Sequence, residues 1–188
     1  MKTLAWISVG YICGSLPFGV WLPMIMGHGD PRTMGSKNIG ATNVYRLAGM
    51  SVALLVYVCD ALKGMIPTLF APSHYRLWVG FSCVLGHIFS LFLKGKGGKG
   101  VATACGVLIV VLPQPMMAAF LVWGVMVKIT RYMSLACLTS AGFITAWTWI
   151  MPYSLHTRLF STMITIVLIG SHRSNIHRLL SGTESKIG

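Results

Sequence analysis

Seven apolar runs, near residues 4–26, 50–71, 77–93, 101–112, 116–127, 134–151 and 155–170, constrain this chain more than any other feature. A straight helical crossing of a bilayer needs about 20 residues, and apolar runs recurring at this density predict a polytopic membrane protein. Only 10% of the residues are charged, against roughly 25% in soluble domains. The expected fold is therefore all-α, a transmembrane helical bundle forming one domain over residues 1–188. The first run exceeds the roughly 7–15 apolar residues of a signal-peptide core, so no cleaved signal is expected. Ile12 stands where lipidation of Cys13 would want a small residue.

Two of the runs, the fourth and fifth, are short, and they flank Pro113-Gln114-Pro115. Proline removes an N–H donor and clashes with the preceding turn. The region is either one kinked crossing or two short crossings. Positive charge arbitrates, because Lys and Arg favour cytoplasmic loops. Seven spans with the N-terminus outside and the C-terminus cytoplasmic leave only Lys2, Arg76 and Arg158 on the outer face. Eleven basic residues then fall inside, with Lys63 inside a span. One crossing would divide them seven and seven, so seven spans are expected.

Charge also narrows the partners. The formal net charge is +12 and the acidic residues are only Asp30, Asp60 and Glu184. The basic residues sit in short loops between apolar spans, which fits anionic lipid headgroups and anionic substrates better than nucleic acid. The five cysteines lie inside apolar segments and read as small packing residues.

Three polar clusters interrupt the apolar pattern, all on the cytoplasmic face of the seven-span arrangement. The first is Gly35-Ser36-Lys37-Asn38-Ile39-Gly40-Ala41-Thr42-Asn43-Val44-Tyr45-Arg46. Its hydroxyls and amides offer several donors, and Arg46 suits a bidentate grip on phosphate. Helix capping accounts for one or two of these positions, not for the run.

The second cluster is Lys94-Gly95-Lys96-Gly97-Gly98-Lys99-Gly100, preceded by Gly86-His87. Lysine charge beside backbone N–H groups left open by glycine is a way to hold phosphate. A helix starting near Lys99 would add its N-terminal dipole. It is not a Walker P-loop, because Gly100 rather than Ser or Thr follows Lys99. A positive-inside turn explains the lysines but not four glycines. His87 reads equally as a core hydrogen-bonder or a functional group.

The third cluster is the tail, including His172, Arg173, Ser174, Asn175, His177 and Arg178. Helical spacing puts His172 and Asn175 on one face. An interfacial helix resting on anionic lipid is the plainer alternative. Histidines five apart make no helical metal pair, and no metal site is expected. Asp60 and Lys63, three apart within a span, are either a structural ion pair or a functional one. A transporter for phosphate-bearing solutes is the competing class, but the sequence shows no inverted repeat and its clusters share one face.

Together these segments resemble the acyl-phosphate-dependent glycerol-3-phosphate acyltransferases of bacterial inner membranes. The resemblance runs through Gly14-Ser15-Leu16-Pro17-Phe18-Gly19, the 36–46 run, Asp60-x-Leu62-Lys63-Gly64-x-x-Pro67 and Gly86-His87 to Thr103. It ends in His172-Arg173-x-Asn175-Ile176-x-Arg178-Leu179 and Gly182-x-Glu184. It implies transfer of an acyl group from acyl phosphate to the 1-hydroxyl of glycerol 3-phosphate, giving lysophosphatidic acid, the first step of phospholipid synthesis. It implies no cofactor, an inner-membrane location and an active site facing the cytoplasm, and it leaves the oligomeric state open.

Carried over by position, Ser36, His172 and Asn175 are the catalytic residues. Substrate binding falls to Asn38, Thr42, Asn43 and Arg46 in the first cluster. The second contributes Lys96, Gly97, Gly98, Lys99 and Gly100, and the tail Arg173. The family usually has Gly where Lys37 stands and an aromatic residue where Gly95 stands, so a looser loop is expected. Other glycerolipid acyltransferases use a His-x4-Asp dyad, and none of the six histidines here has an aspartate five residues on. Catalysis is then expected to rest on positioning and electrostatic stabilisation of an already activated donor.

Overall fold

The computed structural model describes residues 2–187, whose regular secondary structure is all helix, with no strand among them. They fall into two compact units dividing between Val111 and Leu112. Each expected apolar run coincides with helix. Among the described residues, four stretches are long and apolar enough to cross a bilayer: Lys2–Ile25, Ala41–Phe70, Arg76–Leu93 and Met133–Ile150.

In the first unit, α1 (Lys2–Ser15) stops where Pro17 cannot continue its hydrogen bonding, and α2 (Phe18–Ile25) resumes at once. A polar loop leads into α3 (Ala41–Phe70), which Gly49 interrupts with φ 80 and ψ −178, a conformation open mainly to glycine. The break separates a polar helical segment before it from the apolar run after it. α4 (Arg76–Ile88) is followed by a 3-10 turn at Leu91–Leu93, and α5 (Val101–Val111) begins directly after Gly100.

Small residues let these helices approach closely, as in other membrane helix pairs. α1 packs on α4, where a Cβ on Gly14 would fall on the Cys83 backbone and one on Gly86 on the Tyr11 carbonyl. α3 packs on α5, where a Cβ on Gly106 would fall on the Ala61 carbonyl. Backbone cannot move aside cheaply. Gly106→Val is expected to cost about 1–3 kcal/mol or more by overpacking, read as a Tm lowered by roughly 2–10 °C in detergent.

In the second unit, α6 (Pro113–Thr130) begins with both prolines in its first turn, where a missing N–H is not felt. The helical path breaks at Leu112 (φ −136, ψ 61), one residue before them. α7 (Met133–Ile150) and α8 (Leu155–Ser171) are joined by side-chain hydroxyls. Thr148 and Ser161 meet at 2.7 Å, and Thr145 and Thr165 at 2.8 Å. Short α9 (Arg173–Leu180) packs on both.

Candidate active site

Each unit carries its own set of polar residues. In the first unit, the loop ahead of α3 is organised by Asn43, which is buried. Its Oδ1 accepts from the Ser36 N–H at 2.9 Å. Its Nδ2 donates to the carbonyls of Pro31 at 2.9 Å and Met34 at 3.1 Å. The amide is thus committed to the loop, and Asn43 shapes the backbone that presents Ser36. Asn38 does similar work one turn on, its Oδ1 accepting the N–H of Gly40, the N-cap residue of α3. Ser36 and Arg46 remain exposed, with Thr42 on the same helical face as Arg46.

Upstream, Asp30 accepts three side-chain bonds from Arg32, of 2.9, 3.0 and 2.6 Å. These bonds hold the Asp30 carboxyl below its ordinary range. Lys37 has φ 57, a left-handed conformation costly for a residue with a Cβ. That geometry explains why glycine suits the position.

The 94–100 loop differs from the open cradle expected of it. The N–H of Gly95 donates to the Ser90 carbonyl at 2.8 Å, and that of Lys96 to Leu93 at 3.0 Å. Gly97 donates to Ile88 at 3.0 Å, and Gly98 to His87 at 3.1 Å. Those donors tie the loop back to the end of α4 and the turn that follows it. Glycine is needed at 97 and 98 for close approach, since a Cβ there would meet the His87 carbonyl or the His87 ring. Gly95, at φ 79, adopts a turn that suits glycine, so the loop is pinned rather than loosened. Lys94 and Lys96 project from this frame exposed, and Lys99 is half-buried.

Beneath the loop lies a buried ionic group. Lys63 Nζ is 2.6 Å from Asp60 Oδ1 and donates to the Leu16 carbonyl at 2.6 Å, at the break between α1 and α2. His87 Nδ1 is 3.7 Å from the same Asp60 oxygen. Ser90 Oγ donates to the Ser15 carbonyl at 2.6 Å, and Tyr11 OH to the Phe89 carbonyl at 2.5 Å. The intramembrane charges are therefore an ion pair that also caps a broken helix. The sequence shows the pair by its spacing, but nothing in it announces His87 or Leu16 as neighbours.

In the second unit, His172 is the joint between α8 and α9 rather than a helical residue, with φ −97 and ψ 8. Its Nδ1 lies 2.8 Å from the Leu168 carbonyl. A carbonyl only accepts, so Nδ1 carries the proton, and in the neutral ring Nε2 is the basic nitrogen. Arg173 opens α9 and is exposed.

Asn175 is buried and donates through Nδ2 to Glu184 Oε1 at 2.5 Å. Glu184 also receives Ser134 Oγ at 2.7 Å and Arg178 Nε at 2.7 Å. Sequence reasoning did not single Glu184 out; as one of three acidic residues in a basic chain, it could have signalled that this tail folds back. The Ile187 N–H completes the fold-back by donating to the Arg131 carbonyl at 2.9 Å.

Burial pushes the Glu184 carboxyl up, but its three hydrogen bonds outweigh that and hold it below the usual glutamate range. The folded form thus binds its proton less readily than the unfolded chain. The stabilisation is complete above the ordinary glutamate range and is lost as pH falls through the lowered value. A spin label at Lys186 is expected to be immobile at neutral pH and mobile in acid.

Comparison with known proteins shows the family. The family model for glycerol-3-phosphate acyltransferase matches residues 4–182. The glycerol-3-phosphate acyltransferase of Trichlorobacter lovleyi is 41% identical over 188 residues, covering 97% of this chain and 96% of the relative. That of Rhizobium meliloti is 42% identical over 190 residues, covering 100% and 93%. Among solved structures, the chain is similar to PlsY, an integral membrane glycerol 3-phosphate acyltransferase, in its glycerol 3-phosphate form. The TM-score is 0.94 at 36% identity, covering 100% of this chain and 96% of that one. Its lysophosphatidic acid form superposes with a TM-score of 0.89.

Proposed function

This chain belongs to the glycerol-3-phosphate acyltransferase family, and from that premise we propose that it acylates the 1-hydroxyl of glycerol 3-phosphate using acyl phosphate. What carries the reading is a relative of the same fold captured both with the acceptor and in the lysophosphatidic acid form. The reaction forms a bond from the glycerol oxygen to the acyl carbon and breaks the bond from that carbon to phosphate oxygen. Phosphate leaves with the electron pair, and the hydroxyl proton must be taken up.

Each residue has a part suited to its surroundings. Lys96, Lys99 and Arg46 bind phosphate oxygens, with Thr42, Asn38 and Arg173 as further polar contacts. Gly97, Gly98 and Gly100 hold the lysine loop close to α4, and Asn43 holds Ser36 out to bond substrate. The basic Nε2 of His172 accepts the hydroxyl proton, and Asn175 steadies the reacting groups from its tether on Glu184. Phosphate is already a good leaving group, so orientation and charge supply most of the acceleration.

The enzyme is one integral-membrane domain of seven spans in the bacterial inner membrane, with the N-terminus outside and both the tail and the lysine loop cytoplasmic. Positive charge in the cytoplasmic loops supports this arrangement. Single-cysteine labelling is expected to reach positions Lys37, Lys96 and Lys186 only from the cytoplasm, and His74 and Ser154 only from outside. Label reaching Lys96 and Lys186 from opposite sides overturns the topology. For the activity, purified protein given acyl phosphate and labelled glycerol 3-phosphate is expected to yield labelled lysophosphatidate. The same reaction with coenzyme A or carrier-protein thioesters is expected to yield far less. No product from acyl phosphate would refute the function.

A further inference from the structure

The buried group of Asp60, Lys63 and His87 is not used by the chemistry above, yet it sits directly under the loop that is. His87 is 3% exposed, within an apolar helix. Its Nδ1 makes no hydrogen bond and faces the Asp60 carboxylate at 3.7 Å. Its Nε2 tip points at the α-carbon of Gly98, so that a Cβ there would fall on the nitrogen. Its backbone carbonyl accepts the Gly98 N–H. Ring and backbone of one residue therefore bear on the middle of the lysine loop.

The other side of the ring is held as firmly. Asp60 is fixed by Lys63, and Lys63 is fixed by the Leu16 carbonyl and lies 5.8 Å over the Phe18 ring. A chain of contacts thus runs from the break between α1 and α2, through the ion pair and the imidazole, to Gly98. The loop cannot shift toward α4 without meeting the ring. Lys96 and Lys99 stand two residues before and one residue after that contact.

We propose that His87 is a positioning residue, braced by the ion pair of Asp60 and Lys63, that sets where the lysines of the 94–100 loop meet a substrate phosphate. The proposal rests on the reading of Lys96 and Lys99 as phosphate ligands. It gives Gly98 a specific reason to lack a side chain: room for the ring.

The test is a double-mutant cycle between residues 87 and 98, read as KM and kcat for glycerol 3-phosphate and for acyl phosphate, with Tm in detergent recorded for each variant. Gly98→Ala in the wild-type background is expected to raise KM for at least one phosphate substrate tenfold or more. kcat should stay within about threefold, and the Tm lowering caused by the clash should likewise be smaller in the His87→Ala background. His87→Ala alone is expected to raise the same KM. In the His87→Ala background, adding Gly98→Ala is expected to change KM by less than threefold, because the ring it would strike is gone.

An equal penalty for Gly98→Ala in both backgrounds overturns the proposal. Where His87→Ala does not accumulate, His87→Asn takes its place in the cycle. Loss of folded protein in both also overturns it, by making residue 87 a determinant of folding rather than of loop position. A wild-type enzyme that forms no lysophosphatidate sinks the function itself. An active wild type with additive penalties sinks only the role of His87.

Discussion

Replacing His172 by alanine is expected to lower kcat by about 10²–10⁴-fold, the usual contribution of a positioned proton acceptor, with KM for both substrates changed only a few fold. The expectation follows from one contact. The Leu168 carbonyl at 2.8 Å obliges Nδ1 to carry the ring proton, which leaves basicity to Nε2. The joint between α8 and α9 holds the ring by its backbone as well, since the His172 N–H donates to the Leu168 and Ile169 carbonyls at 3.1 and 3.0 Å. Both halves of the residue are thereby oriented. His172→Gln, which keeps a polar side chain but no titratable nitrogen, is expected to remain as slow as the alanine variant. Turnover retained in either variant would hand the proton to a substrate phosphate.

Lys63→Met is expected to destabilise the protein by about 3–5 kcal/mol, because it strands the Asp60 carboxylate without its partner. Side-chain exposures of 3% and 2% leave no water to compensate. The same substitution removes the donor to the Leu16 carbonyl, opening the break between α1 and α2. Combining it with Asp60→Asn removes both charges, and the pair is expected to recover most of the loss, since a buried ion pair replaced as a unit is often nearly neutral. Thermal unfolding of Lys63→Met, Asp60→Asn and the double variant in detergent checks this. A double variant as unstable as Lys63→Met alone would mean that the Leu16 contact, not the stranded charge, dominates.

Much of the fold is legible in the chain because helix formation in a bilayer is a local matter. Apolar runs, Pro17 and the 113–115 prolines mark helices and breaks using only residues close in sequence. The break at Leu112 lies one residue before the first proline, since a proline suits the start of a helix as well as its end. Gly49 was less legible. The polar residues after Gly40 look like loop, yet 41–48 is helix, with Asn43 and Val44 buried on its inner side.

The site divides along the same line. Its polar residue types and their grouping were readable, as was the ion pair of Asp60 and Lys63 from its three-residue spacing. Partner choice was not. Asn43 reads as a donor for substrate but closes a loop, and Gly97 and Gly98 read as bare N–H groups but donate to Ile88 and His87 respectively.

By itself, then, the chain determined that it would be helical, membrane-embedded and basic on one set of loops, because hydropathy and charge act residue by residue. Only tertiary packing decided that Lys63 reaches Leu16, that His87 lies between Asp60 and Gly98, and that Glu184 gathers Ser134, Asn175 and Arg178. Those contacts join residues from 6 to 50 positions apart. Which groups the packed helices bring together, within about 3 Å for a hydrogen bond, is set by the packing of distant segments and not by neighbours in sequence.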